Sequence, residues 1–144
     1  MASPRSAEDI VRSVYRAFQS ANAEVVERCA RELLAADAVL VEAESLPWGG
    51  RYEGIESVVA TIIGVASPES PIDAANLVID DMIVREGGGD SPSQVIAAVS
   101  FPWRGPNKRI PMRSLEWFTV QNGKVTELRI YLWDTAAAIS ALAA

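Results

Sequence analysis

Residues 109–133 read RIPMRSLEWFTVQNGKVTELRIYLW, and this stretch decides the fold because it contains the clearest hairpin signal in the chain. Asn122-Gly123 is a strong signal for a two-residue turn, because the favoured hairpin turn needs positive φ at both of its central residues. The pattern predicts one strand over 109–121 and a second over 124–133, paired antiparallel.

The sequence immediately before this hairpin predicts two further strands, over 77–84 and 94–101. Residues 86–93 include three consecutive glycines and read as a hairpin tip. We interpret residues 102–108 as a loop. The alanine-rich tail that begins at Thr135 predicts a short helix.

The first third of the chain shows helical periodicity instead. Ser6 and Asp9 bracket a capping box. Apolar residues then recur at three- and four-residue spacing, which predicts a helix over 7–19. Asn22 is a suitable N-cap for a second helix, which we expect to end near Ala36.

A strand and a third helix complete the pattern. Residues 38–44 alternate in the manner of a strand, and residues 46–50 have the composition of a turn. A wide apolar stripe after Gly54 predicts the third helix, and Pro68 marks its end.

Helices that come first and antiparallel strands that come later indicate an α+β fold. We expect one domain over 1–144, because no linker long enough to divide the chain is visible. The helices would cover one face of a curved, mostly antiparallel sheet and leave a cone. The inside of the cone is the expected place for a ligand.

The charge balance argues against polyanionic partners. The chain has a formal net charge of -6, whereas nucleic acids and anionic membrane surfaces attract positive charge. No apolar run approaches the roughly 20 residues of a spanning helix. The first six residues lack the apolar segment of a signal peptide, so we expect a cytoplasmic protein.

The absence of histidine narrows the chemistry most. The sequence contains no histidine and one cysteine, Cys29, which excludes histidine-based nucleophile systems, histidine zinc sites and an internal disulfide. Acid–base chemistry would have to use Asp, Glu, Tyr, Lys or Arg. We expect no metal and no organic cofactor.

Four stretches, together with the order of the elements, match a known pattern. They are VYRAF at 14–18, LAADAVLVE at 34–42, GRYEG at 50–54 and EWFTVQNGKV at 116–125. Their order and spacing resemble the NTF2-like superfamily, which includes the ketosteroid isomerases and the SnoaL-type polyketide cyclases. The resemblance covers most of the chain and implies a cone with an apolar cavity and a sheet-to-sheet homodimer.

The resemblance also implies roles for three residues. In ketosteroid isomerases a tyrosine of the first helix and a protonated carboxyl of a late strand hold the enolate oxygen, and a carboxylate at the end of the first strand moves the proton. These positions fall on Tyr15, Glu116 and Glu42. Both carboxyls are Glu here, where the isomerases use Asp.

The residues themselves leave alternatives open at these positions. Glu42 and Glu44 share a strand face, so either could face the cavity, or both could be surface groups. Glu116 lies on an apolar face, where it would be neutral or paired with Arg113 or Arg129. Tyr15 lies on an apolar helix stripe, where it could donate to a ligand or belong to the core.

Five more residues are candidates for the site. Asp134 could be a catalytic carboxyl or the N-cap of the tail helix. With Arg113 and Glu116 it could also imitate loosely the Asp-Arg-Asp set of limonene-epoxide-hydrolase-like proteins. We expect Trp48 and Trp103 in loops at the cavity rim. The remaining substrate-binding candidates are Phe118 and Leu132.

Three functions follow from this sequence. The first is a cofactor-independent acid–base enzyme, an isomerase or a polyketide-type cyclase, that acts on a small apolar carbonyl compound. The second is a module of the same fold that binds a small molecule or a protein without chemistry. The third is an epoxide hydrolase or an epoxide-opening cyclase.

Overall fold

The computed structural model describes residues 5–143. Its helices are α1 (Ala7–Gln19), α2 (Ala23–Leu33), α3 (Ile55–Val65) and α4 (Thr135–Ala143), with a 3₁₀ turn at Ala74–Asn76. Its strands are β1 (Leu34–Glu42), β2 (Gly50–Glu53), β3 (Val78–Arg85), β4 (Ser93–Arg104), β5 (Arg109–Gln121) and β6 (Lys124–Leu132). The predicted α+β class, with three helices before the main strands, is confirmed.

The six strands form one curved, unclosed sheet in the order β2-β1-β6-β5-β4-β3. All neighbours pair antiparallel except β1 and β6, which are parallel. The predicted hairpin joins β5 to β6, and both turn residues have positive φ, 53° at Asn122 and 74° at Gly123. The sequence therefore predicted the centre of the sheet correctly.

A bulge in β6 sets which of its side chains face the helices. Val120 pairs with Val125, but Thr119 pairs with Glu127, so Thr126 is the extra residue. Beyond the bulge, Leu128 lies opposite Phe118. Leu128 and Phe118 are both buried, so this face of the sheet, hereafter the concave face, carries the core.

The helices pack on the concave face through their apolar stripes. Helix α1 begins and ends where the sequence predicts, and the Ser6 hydroxyl accepts a bond from the Asp9 amide at 3.1 Å. Helix α1 contacts α2 and β4, whereas α3 packs on β1 and α2. Burial of Ile10, Val11 and Val59 anchors these contacts, and apolar burial is the main stabilising term.

The second helix ends earlier than predicted. It stops at Leu33, and Leu34 is already extended, with φ -88° and ψ 141°. Leu34 pairs with Val125 of β6, so pairing in the sheet overrides the helix preference of the leucine and alanine residues that follow. Strand β1 consequently begins four residues before the prediction and ends at Glu42 rather than Glu44.

Two other strand predictions were incomplete. Strand β2 begins at Gly50 inside the predicted turn and pairs with β1. Strand β4 continues through Pro102 and Trp103 to Arg104, where a loop was predicted. Proline is unusual in a strand, but Pro102 lies opposite Pro111 and its carbonyl accepts a bond from the Asp73 amide at 3.0 Å.

A tight turn leads the chain from β1 back to β2. The Leu46 amide donates to the Ala43 carbonyl at 3.1 Å, and the Gly49 amide donates to the Leu46 carbonyl at 2.8 Å. A Cβ atom added to Gly49 would lie 2.1 Å from the Ala43 oxygen and 2.8 Å from backbone atoms of Glu44. The close approach of two backbone segments therefore requires glycine at this position.

We predict that Gly49→Ala destabilises the protein by about 1–3 kcal/mol, because the backbone must move to admit the methyl group. Gly64→Ala is the matched control, since a Cβ atom at Gly64 meets nothing within 4 Å. In helix α3 the control should stabilise the protein by up to about 1 kcal/mol. Urea unfolding measures both free energies, and equal values for the two variants would contradict the steric argument.

Candidate active site

An apolar cavity lies between the concave face of the sheet and helices α1 and α3. Its walls come from α1, α3, the β1–β2 turn and strands β1, β4, β5 and β6. The volume of the cavity is about 60 Å³. The interior is therefore narrow and suits a small ligand.

Within residues 5–143, three side chains of the cavity wall are ionisable. They are Tyr15 of α1, Glu42 at the end of β1 and Glu116 in the middle of β5. Their neighbours in the wall are almost all apolar, and neither lysine nor arginine lines the cavity in this part of the chain. The structure thus brings the three residues implied by the resemblance into one cavity.

The sheet register explains why the two carboxyls meet. Leu40 pairs with Leu128, and Ile130, two residues on, pairs with Glu116. Glu42, two residues after Leu40, lies in the same row across the sheet. The two Glu residues are two strands apart, a spacing of about 10 Å between backbones. Both side chains enter the cavity from the concave face.

Glu42 is nearly fully buried, with 8% of its surface exposed. Burial raises the pKa of Glu42 to about 8, and the charge of Glu116 adds to the increase. Among the described residues no donor forms a hydrogen bond with its carboxyl. Glu44, the other candidate on this strand face, lies in the following turn and is exposed.

Glu116 is tied to Tyr15 instead of to an arginine. The Tyr15 hydroxyl donates to Oε1 of Glu116 at 2.6 Å. Burial raises the pKa of Glu116, while the hydrogen bond from Tyr15 acts in the opposite direction. Burial, and then the charge of Glu116, raises the pKa of the Tyr15 hydroxyl well above its usual value.

The two arginines that could have paired with Glu116 lie elsewhere. Arg113 is exposed and follows the opposite alternation from buried Ser114. Arg129 pairs with Glu127, next to it on the face away from the cavity. The bulge at Thr126 is the reason, because without it Arg129 rather than Ile130 would lie opposite Glu116.

Aromatic rings form much of the remaining wall. Tyr15 and Phe118 meet edge to face with ring centres 5.8 Å apart, and Trp48 stacks on Trp103 at 5.8 Å with 28° between the planes. Leu132 also lines the cavity. All four predicted substrate-binding residues are therefore cavity residues, although a ligand contact stays a prediction for each.

The two tryptophans differ from the sequence-based expectation in one respect. Trp48 lies in the β1–β2 turn, as expected for a rim residue. Trp103 is a strand residue with 0% exposure, and its indole N–H donates to the Ala138 carbonyl of α4 at 3.2 Å. It forms the wall of the cavity and not its rim, because β4 is longer than predicted.

Asp134 lies outside the cavity. It is exposed, and its Oδ1 accepts a bond from the Ala137 amide at 2.9 Å, so it caps α4. The expectation that Asp134 is a catalytic group is corrected on this ground. Arg113 and Asp134 do not line the cavity that contains Glu116, so the Asp-Arg-Asp-like set is not assembled.

Several wall residues were not singled out in the sequence. Val14 and Phe18 flank Tyr15 on the same helical stripe, and that spacing was the available signal. Ile72 reaches the wall from an irregular segment, for which the sequence offers no periodicity. The buried indole N–H of Trp48 has no acceptor among the described residues, so a ligand acceptor or a water would stabilise it.

Two further features of the described residues concern metal binding and membranes. No group of three or more Cys, Asp or Glu side chains within residues 5–143 is arranged to hold a metal ion. None of the helices in this range is both long and apolar enough to cross a membrane.

Comparison with known proteins identifies the fold through structure alone. No family model matches the sequence, and no curated protein matches it. Many solved structures do match the structure. One is a putative SnoaL-like polyketide cyclase from Jannaschia sp. CCS1, with TM-score 0.65, 19% identity and 99% of each chain covered.

Two other solved structures are similar over most of their length. An NTF2-like protein of unknown function from Burkholderia pseudomallei gives TM-score 0.67 at 18% identity, covering 95% of this chain and 97% of its own. A protein from Catenulispora acidiphila with a ketosteroid isomerase-like fold, in complex with trimethylamine, gives TM-score 0.60 at 15% identity, covering 88% and 86%. The protein therefore has the NTF2-like fold.

Proposed function

We propose that this protein is a cofactor-independent acid–base enzyme that transfers a proton on a small apolar carbonyl compound, as an isomerase or a cyclase. The observation that carries the proposal is the meeting of Tyr15, Glu42 and Glu116 in one narrow apolar cavity. Ionisable groups with raised pKa values in an enclosed pocket are typical of acid–base catalysis.

Glu42 is the proposed base. Its carboxyl lines the cavity without a hydrogen-bond donor among the described residues, so its lone pairs are available to a substrate. A base with a pKa near 8 is stronger than an ordinary carboxylate at the cost of being mostly protonated at neutral pH. Glu42 would take the proton next to the carbonyl. The C–H electron pair would form the C=C bond of the enolate while the carbonyl π pair moves to the oxygen, and Glu42 would then return the proton to carbon.

Glu116 is the proposed acid that stabilises this oxygen. Burial favours its neutral form, which can donate a hydrogen bond to the developing enolate. Tyr15 already donates to one carboxyl oxygen of Glu116 at 2.6 Å. A bond to that oxygen polarises the carboxyl group, so Tyr15 would act through Glu116 as a positioning residue.

The second candidate function is ligand binding without chemistry. The observation in its favour is that the Tyr15 hydroxyl already donates its proton to Glu116, so it is not free to donate to a substrate. Several neighbours of the same fold have no known function, and a fold does not determine an activity.

The proton-transfer proposal can be tested without knowing the natural substrate. We predict that the protein accelerates α-proton exchange of cyclohexanone and isomerisation of 3-cyclohexenone in D₂O at a pD of about 8.5, followed by ¹H NMR. Glu42→Gln should lower either rate by roughly 100- to 10,000-fold, because an amide cannot accept the proton.

Glu44→Gln is the matched control, since Glu44 is exposed two residues further along and should leave the rate unchanged. Full exchange activity in Glu42→Gln would contradict the assignment of the base. Ketones that bind to the wild-type protein, seen as broadened ligand resonances, but exchange no faster than in buffer would favour the binding module.

The burial of Glu42 also predicts a pH-dependent stability. The folded protein holds the Glu42 proton up to a pH of about 8, whereas the unfolded chain releases it near 4.3. The folded state thus binds more protons between these values, so the free energy of unfolding falls as the pH rises through this window. Linkage gives an upper limit of about 5 kcal/mol for the loss.

Glu42→Gln should remove most of this dependence and should be more stable than wild type above a pH of about 8, because an amide cannot ionise. Urea unfolding at a series of pH values measures the effect, and Glu44→Gln is again the control. Parallel pH profiles of wild type and Glu42→Gln would show that Glu42 ionises in the folded protein as freely as in water.

We further propose that the protein forms a homodimer through the face of the sheet opposite the cavity. Large apolar side chains are exposed there, with Ile83 at 64%, Leu115 at 50%, Trp117 at 39% and Tyr131 at 50%. The register makes them neighbours, because Leu115 pairs with Tyr131, and Trp117 and Ile83 both pair with Ile96. An apolar patch of this kind marks an interaction surface.

Leu115→Glu should convert the dimer to a monomer, because it places a charge at the centre of this patch. Ala60→Glu, on an exposed position of α3, is the control and should remain dimeric. Sedimentation equilibrium gives the masses. A wild-type protein that is monomeric at micromolar concentrations, or a dimeric Leu115→Glu, would contradict the proposed interface.

A further inference from the structure

The ionisable groups of the cavity share one sign of charge. Glu42 and Glu116 are acidic, Tyr15 is neutral until strongly alkaline pH, and no cationic side chain of residues 5–143 reaches the wall. Two carboxyls in an apolar space repel each other when both are ionised, so an empty cavity retains a proton. A ligand that supplies a positive charge would remove this repulsion.

A cationic ligand would stabilise the ionised form of Glu42 in particular. More than nine-tenths of its surface is buried, and it lines the cavity. No arginine, lysine or other donor within the described residues contacts its carboxyl. A buried carboxylate without a partner is costly, and the cost falls when a cation or a donor is placed beside it.

The aromatic walls fit the same kind of ligand. Tyr15 and Phe118 meet edge to face on one side, and the stacked pair Trp48 and Trp103 also borders the space. The face of an aromatic ring attracts ammonium groups, tryptophan most strongly, and the attraction increases where water is excluded. Aromatic faces and carboxylates together recognise an organic cation better than a neutral or anionic molecule.

We propose that the occupant of this cavity carries a small apolar ammonium group, held between the carboxyls of Glu42 and Glu116 and the aromatic walls. This inference deepens the proposed function, on which it rests for the identity of the site, by naming the substrate class as an amine-bearing carbonyl compound. The narrow interior restricts the cationic group to a compact one, such as a methylated ammonium.

Binding of a permanent cation should be linked to loss of a proton. Glu42 faces Glu116 from β5 and Tyr15 from α1, while α3, β4 and β6 contribute no titratable group to the wall among residues 5–143. The ligand charge would replace the proton of Glu42, while Glu116 remains neutral as its proposed role requires. The affinity should therefore rise as the pH is raised from about 6 to about 8.5, and heat measured in buffers of different ionisation enthalpy should reveal the released proton.

The test compares choline with 3,3-dimethyl-1-butanol, its neutral analogue with carbon in place of nitrogen. Isothermal titration calorimetry at a pH of about 8.5 should give an affinity for choline at least about tenfold above that for the alcohol. Glu42→Gln should reduce the preference for choline, because an amide supplies no negative charge, and should leave the alcohol bound at least as tightly as in wild type. Glu44→Gln should keep the wild-type preference.

Equal or tighter binding of the neutral alcohol would overturn the inference, as would an absence of choline binding at millimolar concentrations. The ketone exchange experiment remains independent of this result. Exchange activity without a preference for choline would reject the ammonium group and keep the acid–base function. A preference for choline without exchange would reject the enzyme and keep the cation site.

Discussion

Two carboxyls that share an apolar cavity, without a cation from residues 5–143 beside them, are the constraint on which this site depends. Water would solvate both groups. In the cavity, each carboxyl is instead surrounded by apolar side chains, the Tyr15 hydroxyl and the other carboxyl. The Tyr15 bond relieves Glu116, whereas Glu42 is left to retain its proton, and burial raises its pKa to about 8. The fold therefore determines the acid–base chemistry of the cavity through the protonation state of Glu42.

Backbone register maintains this arrangement. A strand that slips by one residue exposes every side chain that it had buried, so the faces of β5 and β6 must be fixed relative to each other. The Asn122-Gly123 turn fixes one end of the pair, and the bulge at Thr126 then shifts β6 by one residue. The shift places Ile130 beside Glu116 and sends Arg129 to the opposite face. The bulge thus keeps Arg129 out of the cavity.

The sequence predicted those parts of the fold in which local signals and tertiary contacts agree. Helix α1 and strand β5 have the predicted bounds, because a capping box and an Asn-Gly turn mark their ends. The prediction was wrong where pairing between distant segments determines the structure. Leu34 lies in a run of residues that favours helix, but it pairs with β6. Trp103 was misplaced for the same reason, since a proline before it suggested a loop.

The same distinction between local signals and tertiary contacts applies to the residues of the site. Alternation along β1 and β5 placed Glu42 and Glu116 on apolar faces, but the sequence could not decide between Glu42 and Glu44, because that choice depends on the residue at which β1 ends. Nor could it pair Tyr15 with Glu116, which are 101 residues apart. That bond commits the tyrosine proton to a carboxyl, so recognition of an oxygen or a cation in the cavity falls mainly to the two Glu residues. The longer Glu side chain suits this role, because it extends a carboxyl further from the sheet into the cavity than Asp would.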